Sequence, residues 1–137
     1  MEGRYALGFD FGTESVRVLV ARLRDGYVAG QASHAYPHGV INTTLPTGGA
    51  KLPVDYALQD SRDWLESASA ACKEALLMAG IAPADLFGIG VAFTSCTMLP
   101  CRIDGTPLHT LAPFADVPPA WPKLEASRRQ VRDRSNQ

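Results

Sequence analysis

The stretch "ALGFDFGTESVRVLVA", residues 6–21, constrains the chain more than any other. The runs "YALGFD" and "VRVLVARL" are rich in β-branched and aromatic residues, and they flank "FGTES", whose glycine and hydroxyl residues favour a turn. A second turn at "RDG" leads into "YVAGQASHAYPH", so the sequence predicts a three-stranded meander. "GVINTTLPTGGAKLPVDYALQ" then carries prolines and a glycine pair without helical or alternating periodicity, and reads as a long loop. A loop of that length usually has a task.

From Ser61 to Ala79, Trp64, Leu65, Ala68, Cys72, Ala75 and Leu76 recur at three- and four-residue spacing. Asp60-Ser61 caps the start and Gly80 marks the end, so this segment is predicted helical with Trp64 and Leu65 on its core face. "FGIGVAF" is expected to be a buried strand, and "TMLPCRID" its neighbour before a "DGTP" turn. Three strands, a helix and two further strands make an α/β unit with a mixed sheet.

Composition narrows the function classes. With 46% hydrophobic and 20% charged residues, the 137-residue chain is that of an ordinary globular protein. A net charge of -1 argues against nucleic acid as a partner, and the one basic cluster lies in the tail. Cys72, Cys96 and Cys101 form no metal-binding pair, which points to reduced thiols and a cytoplasmic setting. The apolar run near the N-terminus breaks at Gly8 and Asp10, so neither a signal peptide nor a membrane partner is expected. His34, His38 and His109 are isolated, without the spacing of a metal site.

The first turn can carry chemistry. Gly12 lets backbone approach a phosphate, Thr13 adds a hydroxyl donor, and Asp10 can hold a Mg²⁺-bound water. A carboxylate beside phosphates makes sense only with a cation. Asp and Gly are also the usual residues of a plain hairpin turn.

The longer pattern "GFDFGTESVR" resembles the first phosphate loop of the ribonuclease H-like superfamily that holds actin and the sugar kinases, and "D-x-G-T-x-S-x-R" is similar to the FGGY carbohydrate kinases. "YPHGV", "TLP", "YALQDSRDWLE", "GIGVAFTSCTMLPC", "DGTPL" and "AWPKL" extend the resemblance, in order, over roughly residues 5–124. It implies the N-terminal part of the first kinase domain, truncated. The implied cofactors are ATP and Mg²⁺, and the implied reaction is phosphorylation of a ketopentose such as L-ribulose in arabinose catabolism.

By the same resemblance Asp10, Gly12, Thr13, Ser15 and Arg17 belong to the ATP side, with Asp10 reaching the metal through water. Arg17 fits equally well as a salt-bridge partner on the second strand. Ser95, Cys96 and Thr97 match the loop that lines the sugar end of the cleft, where polyol recognition needs short donors and acceptors. Such hydroxyls also serve to satisfy backbone groups at a strand end. Gln59 and Asp60 fall in a similar "ALQ-x-x-x-D" motif, with Asp60 read as a cap, and Ala92 stands where family members commonly carry an acid.

The family's general base lies further along, so the resemblance assigns no catalytic residue here and implies a chain inactive alone. The alternative is a non-catalytic nucleotide- or sugar-binding module with an exposed apolar face. Oligomeric state is not legible. After "AWPKL" the resemblance stops, and "EASRRQVRDRSNQ" is basic and polar. Dropping one base from suitable codons at Leu124 restores Trp-Lys-His-His-Ala, as in the family, so residues 125–137 are expected to be an out-of-frame tail.

Overall fold

The structure, a computed structural model, describes residues 4–95 and 97–124. β1 (Tyr5–Phe11) and β2 (Ser15–Arg22) form an antiparallel pair with Phe11 opposite Val16, and β3 (Val28–Ala35) adds antiparallel to β2. α1 (Ser61–Ala79) follows the long loop, and β4 (Leu86–Phe93) returns parallel to β1. The sheet order is β3-β2-β1-β4, a mixed α/β arrangement as expected. The described residues divide into two units, the first holding residues up to 37 and 62–94, the second 38–61 and those from 95 on.

In the first unit, register decides the core. Leu7, Phe9 and Phe11 lie opposite Val20, Val18 and Val16, and alternation puts all six on one face. The three valines are fully buried there, each contributing about 1.5–3 kcal/mol. α1 covers this face with Trp64, Ala68, Ala71 and Ala75, and ends where Gly80 takes a left-handed φ of 62°. Trp64 is core, as expected, but Leu65 is 75% exposed. One residue turns a helix by about 100°, and the buried stripe runs through 64, 68, 71 and 75.

Two strand expectations are corrected. β4 forms where expected, yet its side chains are largely exposed, because it is the outer strand of this sheet and α1 lies over the β2 side. Of "TMLPCRID" only Thr97–Met98 is a strand, β5, and it pairs with β6 (Lys123–Leu124) rather than with β4. Pro100 has no N–H to donate, so the run cannot continue as a ladder. The turn after it forms as predicted, with Gly105 at φ 85° and the Arg102 N–H donating to Thr106 O.

The second unit is built from the long loop. Ile41 bridges to Leu58, and both pack with Leu45 and Trp121 in a small apolar core. The loop's task is therefore at least partly structural. Trp121 is anchored by its indole N–H, which donates to the Ala115 carbonyl at 2.9 Å. No helix among the described residues is long and apolar enough to cross a membrane. Residues 125–137, expected to be an out-of-frame tail, lie outside the described residues.

Candidate functional site

The turn between β1 and β2 is three residues long, Gly12 to Glu14, closed by the Gly12 N–H donating to Ser15 O at 2.8 Å. Gly12 therefore offers space rather than a donor. A Cβ there would meet only the Ser15 carbonyl, at 3.2 Å, so a ligand can come close to its backbone. Asp10 is exposed near the C-terminal end of β1, and its carboxylate makes no ion pair or hydrogen bond among the described residues. Its neighbours across the ladders are Arg17 on β2 and Ala92 on β4.

Arg17 is exposed and, among the described residues, forms no salt bridge, so the pairing role weighed for it is not seen. Ala92 leaves Asp10 as the one carboxylate in this cross-strand row. A single free carboxylate beside an open turn is a donor set that suits a hydrated divalent cation held through its water.

Tyr36, which the sequence reading passed over, closes the same end of the first unit. Its backbone N–H donates to Glu14 O at 2.8 Å, tying it to the turn, and only 4% of the residue is exposed. Its hydroxyl is buried with no hydrogen-bond partner among the described residues. Burial, helped by the charges of Asp10 and Asp63, pushes the phenol up to about 12. The only signal in the sequence is a tyrosine before a proline at a strand end, a place that holds extended backbone.

After β4, Thr94 extends the parallel ladder: both its N–H and its hydroxyl donate to Phe11 O, at 2.9 and 3.0 Å. Backbone satisfaction, the bland role of a strand-end hydroxyl, thus applies to Thr94. In the second unit, Ser95 is exposed and its hydroxyl has no partner among the described residues, while the Thr97 hydroxyl is buried and also unpartnered. Cys96 lies outside the described residues, and Cys72 and Cys101 are free thiols.

The second unit also brings together polar residues that the sequence offered only as a cap and as isolated histidines. Ser61 Oγ lies 2.8 Å from His109 Nε2, and Trp121 packs on that imidazole at 4.5 Å between centroids. Gln59 and Asp60 are buried beside it in the chain, with His38 Nδ1 3.9 Å from Asp60 Oδ2. Asp60 directly precedes α1, where a cap belongs. His34 instead forms an exposed pair with Glu74 at 2.8 Å.

Comparison with known proteins gives these groups a context. No family model matches the chain. A protein named ribulokinase from Mycolicibacterium smegmatis is 48% identical over 122 residues, covering 88% of this chain and 22% of that protein. Another of that name, from Geobacillus thermodenitrificans, is 40% identical over 124 residues, covering 90% of this chain and 22% of its own length. The chain therefore spans only about a fifth of these relatives. Among solved structures, the xylulose kinase from Rhodospirillum rubrum matches with a TM-score of 0.53 at 25% identity, covering 75% of this chain and 19% of that one. A mixed α/β sheet, an open turn beside Asp10 and these likenesses agree: over the matched span the chain is similar to part of a ribulokinase, and its fold to part of a xylulose kinase.

Proposed function

We propose that this chain supplies the first phosphate turn and the sugar-lining loop of an ATP-dependent carbohydrate kinase. The substrate we infer is a ketopentose, L-ribulose by likeness to the named relatives, phosphorylated on a primary hydroxyl as a step of arabinose catabolism in the cytoplasm. The observation that carries the reading is the free Asp10 carboxylate beside the open Gly12–Glu14 turn. Asp10 would hold a Mg²⁺ ion through water, and the ion, when bound, neutralises charge on the transferring phosphoryl group.

The remaining residues have positioning roles. The Thr13 and Ser15 hydroxyls and the Arg17 guanidinium would receive phosphate oxygens, and Gly12 would keep that approach open. Ser95 and Thr97 carry the hydroxyls that would orient a polyol, with Cys96 between them. Residues 1–124 would correspond to the N-terminal part of the first kinase domain. Residues 125–137 remain proposed as a non-homologous tail.

The test is binding of Mn²⁺ with ATP, followed by the paramagnetic signal of the metal. Wild-type chain is expected to bind, and Asp10→Asn to weaken the metal tenfold or more, since a charge-assisted contact is worth about 1.5–3 kcal/mol. Equal binding by both proteins would remove Asp10 from the site. The exposed β4 face favours a second reading, an interaction module without turnover.

A further inference from the structure

The loop proposed to receive the sugar has few anchors of its own. β5, which carries Thr97, is two residues long, and the Ser95 hydroxyl has no partner among the described residues. Its place is set by its neighbours. Leu124 and Lys123 of β6 pair with Thr97 and Met98, and the stretch before α1 holds the other edge of β6: the Leu124 N–H donates to Ala57 O at 2.9 Å, and the Gln59 N–H donates to Pro122 O at 3.0 Å. β6 is thus the middle row of three, between residues 57–59 and the loop.

A buried polar pair closes the end of these rows. Ser61 Oγ and His109 Nε2 are hydrogen-bonded at 2.8 Å, both residues are buried, and the imidazole packs at 4.5 Å between centroids on Trp121, just before β6. The indole nitrogen is tied to Ala115 O, and Ile41, Leu45 and Leu58 surround Trp121 with apolar contacts. Apolar packing has no preferred direction, whereas a hydrogen bond of this length does. The Ser61–His109 bond therefore orients the imidazole, and with it the ring that lies against it.

We propose that Ser61 and His109 are positioning residues for the sugar-lining loop: their hydrogen bond sets the tilt of Trp121 and, through β6, the place of Thr97 and Ser95. Polyol recognition depends on hydroxyls held at fixed positions, which a two-residue strand does not secure by itself. The proposal rests on the reading of Ser95 and Thr97 as sugar contacts. Neither Ser61 nor His109 touches the sugar in it.

Ser61→Ala removes the hydroxyl and adds no volume, whereas Ser61→Thr keeps the hydroxyl. The experiment uses the full chain well below its thermal midpoint and measures L-ribulose affinity by calorimetry, Mn²⁺–ATP affinity by paramagnetic resonance, and the amide resonance of Thr97 before ligand is added. In Ser61→Ala, L-ribulose binding is expected to weaken about two- to tenfold, the worth of one hydrogen bond, with the Thr97 amide displaced and Mn²⁺–ATP binding unchanged. Ser61→Thr is expected to stay within about twofold of wild type. Unchanged L-ribulose affinity in Ser61→Ala, whatever its midpoint, overturns the positioning role in favour of a structural one and leaves the kinase reading standing. An equal loss in Ser61→Thr, or a parallel loss of Mn²⁺–ATP binding, also overturns it. Wild type that binds Mn²⁺–ATP but no L-ribulose overturns the sugar role of Ser95 and Thr97, and this proposal with it.

Discussion

Gly30 sets how closely α1 lies on the sheet. It faces Val20 across the β2–β3 ladder, on the covered side, and a Cβ added there would collide with the Ala75 carbonyl oxygen and reach 2.7 Å from the Ala79 nitrogen. Both are backbone atoms of the helix, so relief requires the whole helix to move. Gly30→Ala is expected to cost about 1–3 kcal/mol, as overpacking does. That corresponds to a thermal midpoint lower by roughly 5–10 °C. Gly88, with nothing within 4 Å of its added Cβ, is the control: Gly88→Ala is expected to stay within about 0.5 kcal/mol of wild type. Gly12 differs from both: the opening beside it is the one proposed to receive a ligand. Its proposed role comes from the likeness of "GFDFGTESVR" to a phosphate loop, whereas nothing in the sequence marked Gly30, since the contact spans 45 and 49 residues of chain to Ala75 and Ala79.

β4 is where pattern and packing part company. Its apolar run reads as a buried strand, and the strand forms beside β1 with Phe11 opposite Phe93. Burial, however, is a property of neighbours, and Phe87, Ile89 and Val91 remain 68%, 66% and 61% exposed. Phe93 is different: it stacks on Phe11 at 4.4 Å and meets the Trp64 edge at 5.5 Å between centroids. Phe93→Ala should therefore destabilise the first unit by about 1–3 kcal/mol through two lost aromatic contacts. Ile89→Lys should leave the thermal midpoint within a degree or two and lower the light scattering of concentrated samples, because a charge on an open edge opposes strand pairing. Increased scattering in Ile89→Lys would show that the exposed face does not drive association. The helix was legible to the residue because Asp60-Ser61 and Gly80 bracket it, while Leu65 was misplaced because its spacing fits a neighbouring stripe equally well. The end of "TMLPCRID" could have been read from Pro100, but its pairing with Lys123–Leu124 joins segments too far apart for any local pattern.

For the molecule as a whole, phosphoryl transfer needs a group to take the proton from the sugar hydroxyl, a contribution of about 10²–10⁴-fold. Several carboxylates among the described residues are poorly placed for it. Asp60 and Asp63 are 0% and 2% exposed, Asp104 accepts from the Thr106 N–H, Asp116 accepts from the Thr47 hydroxyl, and Asp10 is assigned to the metal. Binding and turnover should consequently separate in this chain. With Mn²⁺ or Mg²⁺ and ATP present, a coupled assay is expected to show no phosphorylation of L-ribulose above the rate without protein, although the metal-nucleotide complex binds. Turnover that survives in wild type and disappears in Asp10→Asn would place a base within these residues and reject the separation. Turnover unchanged in Asp10→Asn would point instead to a contaminating kinase, and binding without turnover would tie the Asp10 turn to phosphate capture alone.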